Sequence, residues 1–589
     1  MTSRLERHAS ISKLRARRIV VDDNDVLEVL ADLDAENLVS EIAPLVKQHT
    51  GRRRHLNVEG LLLGMCLCSA MHSGTVTLCT AADLLAFGIS DTMRHRFGIP
   101  HYPDNDRGYE AFYAVVRRLF HNVIDAIDPS PLPKNHRIDI AYAAELQARA
   151  DKDLLDRKRT LLLRVSNKIL SMSLRHAHPL LEGTWDGSCV VDATVIGTYA
   201  KGLAPDSDVT STDPDGGWYV RTAGHEDPLA LRELAPPPPK AKNGGKPVGK
   251  TKSKRVKKKL YGFDATLIVA RDPQHDGAPL PDGSADPAAI PALICAFSVE
   301  KPSRRPGQVA VEALQRVDPR YPRGYLAGDR LYNDQRSEVF QLPIRAMGYL
   351  PVYDYAKDQL GVQDGIGGAQ LVEGSWYCPS MPAPLVNATI DLLAKRIDKT
   401  TWIERIHART AHLLMPKEAA DPEGHRRMMC PAEARRVQCP LKPRTMGAGI
   451  HLPLVDPAPS PTKPPPVCEQ RSMTIPPQSG ASQWQPLQYG TKDWQRVYFR
   501  LRNSVEGING FGKDPLHEHI ESAGTRRIRG IAAQTILLAF QLAHVNRRKL
   551  AGWADAVALN GERPRRRPTR RRKTQPLGTW APKGHLTGA

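Results

Sequence analysis

Cys189-Val190-Val191-Asp192-Ala193-Thr194-Val195-Ile196-Gly197 decides how this chain is read. The stretch is apolar and β-branched, as a buried strand should be, and a single aspartate interrupts it. Further strands are expected over Phe263–Ala270 and Ala292–Val299. A helix is expected over Val309–Val317. Gly324-Tyr325-Leu326-Ala327-Gly328-Asp329 reads as a strand that closes on an acid, and Leu342–Val352 as a last strand near Tyr349-Leu350-Pro351-Val352. Three strands, a helix and two more strands predict an α/β domain with a mixed sheet, not a repeat array.

Outward from that core the texture changes in both directions. Residues 1–180 read as a helical N-terminal domain for DNA binding or dimerisation. Apolar residues recur near the 3.6-residue period over Asp25–Gln48, and further helices are expected over Asn57–Met71, Thr80–Phe87, Tyr109–Ile127 and, whole or broken, Ala141–Ser173. Residues 181–359 hold the first part of the α/β core, with a basic loop at 235–259 between its first two strands. Residues 360–490 form an insertion rich in Cys and Pro. Helical texture returns over 491–555, including Thr525–Leu550, and 556–589 reads as a disordered basic tail.

The 589 residues carry 83 Lys and Arg against 63 Asp and Glu, a net charge of +20. The excess is local. Ten basic residues and no acid lie between Lys240 and Lys259, and eight between Arg563 and Lys573. Without these tracts the body is nearly neutral, which points to a polyanionic partner bound by two cationic extensions. Hydrophobic residues at 41% exclude wholesale disorder. The start lacks the apolar stretch of a secretory signal, and no apolar run reaches bilayer length. Nine scattered cysteines suit a reducing cytoplasm.

Asp192 and Asp329 stand on strands, where a carboxylate is costly without a task. Each alone could start a turn or cap a helix. Two in one α/β unit suggest hard-cation ligands at a cleft, of the kind phosphodiester chemistry uses to hold two divalent ions. A third acid follows the insertion, in Trp494–Lys513. On a helix Phe499, Arg502, Glu506 and Lys513 share one face, a carboxylate between two phosphate-suited cations. Ordinary i,i+4 pairing of Arg502 with Glu506 is the competing reading. Gly507, Gly510 and Gly512 predict fraying before Lys513. Asp186 and Asp334 compete for the first two acid positions, each in poorer context.

This order of strand-Asp192, strand-Asp329, insertion and helix-Glu506 resembles the DDE transposases of bacterial insertion sequences, with their ribonuclease-H-like catalytic core. The last segment is similar to the Tyr-x2-Arg-x3-Glu-x6-Lys signature of one large transposase family. Arg502, Glu506 and Lys513 fit its spacing, while Phe499 stands at the tyrosine position with Tyr498 beside it. The resemblance spans about Ser188 to Leu550. It implies a fold of a ribonuclease-H-like mixed sheet interrupted by an insertion, with Asp192, Asp329 and Glu506 holding two Mg²⁺ (or Mn²⁺) ions. It further implies that Arg502 and Lys513 contact DNA phosphates, and that element ends are cut and joined to target DNA. The alternatives are an inactive DNA-binding relative and a nuclease of the same fold without strand transfer.

The implied partner is double-stranded DNA, bound by a homodimer or larger synaptic complex in a bacterial cytoplasm at the nucleoid, with no membrane. Lys254, Lys257, Lys258, Arg566 and Arg571 in the two tracts would grip phosphates without reading sequence. Cys378, Cys430, Cys439 and Cys468 number four, as a structural zinc site requires. Their intervals of 52, 9 and 29 residues lack paired Cys-x2-Cys knuckles, so ordinary thiols compete with zinc. Trp376, Trp402 and Trp484 could stack on an extruded base or serve as small-core aromatics.

Overall fold

The computed structural model describes residues 18–46, 55–204, 206–222, 256–275, 280, 284, 286–447, 451–456, 464–559 and 576–583. Its centre is a mixed six-stranded sheet of β1 (Cys189–Gly197), β2 (Gly217–Thr222), β3 (Val256–Ala270), β4 (Leu293–Glu300), β5 (Tyr325–Ala327) and β6 (Leu350–Val352). The long β3 is antiparallel to β1, β2 and β4, whereas β5 is parallel to β1 and β6. The fold is thus α/β with a mixed sheet.

The strand through Cys189–Gly197 forms as its composition predicts, and it is buried along most of its length. Two expectations need correction. The segment between the first two expected strands is not only a loop, because β2 forms within it and β3 begins at Val256, inside the lysine tract. Leu342–Val352 is not one strand: Gln341–Ala346 is helical, and only Leu350–Val352 pairs. Pro343 sits in the first turn of that helix, where its missing N–H costs nothing. At Gly262 three glycines meet, since Gly262 pairs with Gly197 of β1 and with Gly217 of β2. A Cβ there would lie 1.9 Å from the Ile196 carbonyl oxygen.

The N-terminal helices cover Asp23–Ala35, Leu38–Ile42, Val58–Met71, Leu78–Asp83, Asp91–Arg96, Asp106–Ile127, Ile140–Arg149 and Lys152–Ser171. The break between the last two falls at Ala150, and Asp151 restarts the chain by accepting a hydrogen bond from the Leu154 N–H. One apolar core runs from these helices through the sheet to the long helix Ile531–Ala558. The exposed flank of β4 is covered by side-chain amides from two helices. Asn167 bonds both the N–H and the C=O of Phe297 at 2.9 Å, and Asn546 does the same for Ile294 at 2.8 Å. Such covers suppress pairing with a foreign strand.

The 360–490 region builds two small three-stranded antiparallel sheets. One is β7 (Val362–Ile366), β8 (Ala369–Val372) and β9 (Ser375–Tyr377). The other is β10 (Met415–Pro416), β11 (Arg426–Met429) and β12 (Met473–Ile475). Gln485 joins the region to the core, its Oε1 accepting from the Tyr353 N–H at 2.9 Å. The expectation of a disordered tail is corrected at the described residues 576–583, which return to the helix Lys492–Gly512 around Gly578 and Trp580. Trp580 packs against Trp494, Phe499, Tyr489 and Trp402, and the Gly578 N–H donates to Gln495 Oε1 at 2.8 Å. No described helix is long and apolar enough to cross a membrane.

Candidate active site

Sheet register brings the two aspartates together. Val190 of β1 faces Ala327 of β5 in the parallel pair. Two residues further along each chain stand Asp192 and Asp329, at the same level and, by the period of two, on the same side of the sheet. The helix Lys492–Gly512 packs across that side and supplies Arg502, Glu506 and Asn509.

The Asp192 side chain is mostly buried, and its carboxylate meets two groups from the helix. Arg502 Nη1 lies 3.7 Å from Oδ1, and Asn509 Nδ2 donates to Oδ2 at 3.1 Å. Burial pushes Asp192 up to about 6. Arg502 opposes that rise, while Asp329 and Glu506 add to it as neighbouring negative charges. Asp329 is raised for the same first reason, burial, with Arg502 again opposing. One of its oxygens is already engaged, because Oδ1 accepts from the Leu331 N–H at 2.9 Å and caps the short helix Arg330–Asn333. Asp329 therefore both caps a helix and faces the cluster. Glu506 is exposed, at the solvent edge of the group.

Arg502 lies among all three acids. Burial works against its charge, but Asp192, then Tyr498, Asp329 and Glu506, outweigh that cost and raise its pKa. Its Nη1 is buried without a hydrogen-bond partner. The expected phosphate ligand is thus turned inward as the cation of an acidic cluster. The helix runs through Gly507 and Gly510 and stops at Gly512, with Lys513 as its C-cap. Lys513 Nζ lies 3.6 Å from Glu521 Oε2.

The helix phase also reassigns the aromatic position. Phe499 turns into the cluster around Trp580 and lines a cavity of about 780 Å³ with Arg500, Asn503, Gly507 and Lys549. Tyr498, one turn before Arg502, is the aromatic that shares an electrostatic neighbourhood with Arg502 and Asp329. Asn509 was not singled out by sequence, although its place three residues after Glu506 puts it on the same face. Tyr332 was also missed; it is fully buried beside Asp329 and Asp192, with its hydroxyl unpartnered. The competing acids serve turns and links. Asp186 accepts from the N–H and hydroxyl of Ser188 at 2.8 Å each, and Asp334 accepts from Gln359 Nε2 at 2.8 Å.

Of the basic-tract residues, Lys254, Arg566 and Arg571 lie outside the described residues. Lys257 and Lys258 fall on β3, with only their backbone described, and Lys258 is opposite Arg221 of β2. Trp376, Trp402 and Trp484 are all buried, as small-core aromatics. Arg345 and Arg426 lie over the Trp484 ring at 4.7 and 4.1 Å. Cys378, Cys430, Cys439 and Cys468 are buried and free of disulfides. Burial pushes Cys378 up to about 12 and Cys468 to about 11.

The three acids offer only oxygen donors, which suits a hard divalent ion. Burial of Asp192 beside two further carboxylates creates a demand for positive charge that Arg502 meets in the metal-free chain. Among the described residues, no three histidine, cysteine or acidic side chains stand at the spacing of a bound ion. No family model, curated protein or solved structure matches this chain.

Proposed function

We propose that the chain is a DDE-type transposase with a ribonuclease-H-like core, cutting and joining DNA through Asp192, Asp329 and Glu506. The observation that carries this reading is the meeting of those three acids, far apart in sequence, around Arg502 on one face of a mixed sheet. Asp192 stands on β1, Asp329 stands two residues past the end of the adjacent parallel β5, and Glu506 comes from the helix crossing them.

Bound Mg²⁺ would activate the attacking oxygen and stabilise the leaving oxygen of the phosphodiester. The chain's own residues set the frame for that chemistry. Asp192 on β1 and Asp329 just past β5 present their carboxylates as electrostatic neighbours. Asn509 holds Asp192 by Oδ2, which leaves Oδ1 facing Arg502. Glu506, exposed at the edge, closes the set from the helix. Arg502 opposes the rise that burial imposes on Asp192 and Asp329. In the first step water attacks the phosphorus and the 3′-oxygen leaves as a hydroxyl. In the second, that 3′-hydroxyl attacks a target phosphodiester, one P–O bond forms as another breaks, and the proton passes to solvent.

The test incubates the protein with DNA carrying its element's terminal repeats, Mg²⁺ and a target plasmid. Cleaved ends and joined products are expected, and both should vanish with Asp192→Asn. No cleavage under any divalent ion would leave a DNA-binding protein. Cleavage without joining would make it a nuclease.

A further inference from the structure

Cys378, Cys430, Cys439 and Cys468 come from four separate segments of the insertion, and the fold gathers them. Every sulfur is within electrostatic reach of the other three. The remaining five cysteines lie in the helical bundle and the central sheet.

Each of the four sits on a tight turn. The Met381 N–H donates to the Cys378 carbonyl at 3.0 Å, Ala434 to Cys430 at 3.0 Å, and Lys442 to Cys439 at 2.8 Å. Cys468 closes a turn of its own on Pro465 at 2.8 Å. Proline follows three of the four cysteines and fixes its own φ in those turns. Two of the turns aim amides at sulfur: Ser380 N–H towards Cys378, and Leu441 and Lys442 N–H towards Cys439.

The turns of Cys378 and Cys439 are also anchored, and Lys442 joins the turn of Cys439 to that of Cys468. Cys378 N–H donates to the His412 carbonyl at 2.9 Å, and Cys439 N–H to Thr445 Oγ1 at 3.0 Å. Lys442 Nζ donates to the carbonyls of Gln470 at 2.9 Å and Glu469 at 3.3 Å, directly after Cys468. Around them the apolar clusters are small. One contains Cys430 and Cys439 with Ala432, Val437 and Val455, and Cys468 belongs to its neighbour. Cores of that size commonly need a staple.

We propose that Cys378, Cys430, Cys439 and Cys468 form a structural tetrathiolate zinc site that pins the insertion together. Binding replaces four S–H bonds by four Zn–S bonds of about 2.3 Å and releases the protons to solvent. In the metal-free geometry no three of the sulfurs stand at ion-binding spacing, so the ion would draw them inward from their turns. The proposal is independent of the catalytic reading: the donors are sulfur, on a different part of the chain from Asp192, Asp329 and Glu506.

The test purifies the full chain without chelator and measures zinc by elemental analysis and by X-ray absorption at the zinc edge. One zinc per chain with a shell of four sulfurs near 2.3 Å is expected. Asp192→Asn and Cys295→Ser should keep that zinc, while Cys430→Ser should lose most of it. If Cys430→Ser does not fold, the sulfur shell of the unaltered protein still decides. A chain with under a tenth of an equivalent of zinc would overturn the site. So would an oxygen-only shell, or disulfides among the four cysteines by mass spectrometry.

Discussion

Arg502 Nη1 stands 3.7 Å from Asp192 Oδ1, and each of these side chains is only 17% exposed. The pair puts a permanent positive charge among carboxylates that would otherwise repel one another across a poorly solvated gap. Replacing Arg502 with Gln should destabilise the metal-free protein by about 3 kcal/mol at pH 8, the usual cost of stranding a buried charge. Added Mg²⁺ should then raise the melting temperature of Arg502→Gln more than that of the parent chain. Equal stability of the two metal-free proteins in urea melts would remove Arg502 from this balancing role.

Asp192 carries the complementary pH dependence. Its folded value of about 6 lies above the ordinary 3.8, because burial disfavours the charged form. The folded state thus holds the proton more tightly than the unfolded one, and stability falls as pH rises from about 4 to about 6. The full penalty, about 3 kcal/mol, is present above that window. Asp192→Asn should melt higher than the parent chain at pH 7.5 without divalent ions, with the gap closing towards pH 4. Loss of a charge partner for Arg502 will offset part of the gain. A variant that melts lower at pH 7.5 and no differently at pH 4 would contradict this account.

Much of this was legible because long periodic segments carry their own signal. The strand Cys189–Gly197 and the helices Val58–Met71 and Asp106–Ile127 lie close to where pattern places them. β2 carries little signal of its own because its six residues follow a Gly- and Asp-rich connection. β6 is three residues long and follows closely on a helix, so its apolar pattern runs together with that of the helix. The residues of the acid cluster were legible, but their pairing was not. That Asp329 stands level with Asp192 follows from the register of a three-residue strand, which depends on tertiary packing. The direction of Arg502 was hidden for a related reason. The helix phase that puts Trp494, Val497, Leu501 and Val505 in the core decides whether Tyr498 or Phe499 faces the acids.

Glu506 separates catalysis from stability better than the aspartates do. It is exposed, so Glu506→Gln should change folding stability by no more than about 0.5 kcal/mol. Strand cleavage should nevertheless fall at least about a thousandfold, about 4 kcal/mol of barrier. DNA binding in a gel-shift assay should persist. Unchanged cleavage would take Glu506 out of the site and leave the two aspartates without a third ligand from this position.

The insertion carries a second buried ionic feature whose contribution can be isolated. Arg409 Nη1 lies 2.5 Å from Glu373 Oε2, and both side chains are fully buried. Arg409 also donates to the carbonyls of Leu385 at 2.7 Å and Val386 at 3.2 Å, while Thr389 Oγ1 donates to Glu373 at 2.9 Å. Removing one partner leaves the other charge in a dry site with only neutral neighbours. Arg409→Met alone, and Glu373→Gln alone, should therefore each cost about 3–5 kcal/mol in urea denaturation. The double variant should cost clearly less than the sum, because neither charge is then stranded. Additive losses would mean that the two residues act through separate packing contacts and that the ion pair contributes nothing of its own. Because Glu373 stands at the turn between β8 and β9, close in sequence to Cys378, the measurement needs zinc held constant across all four proteins.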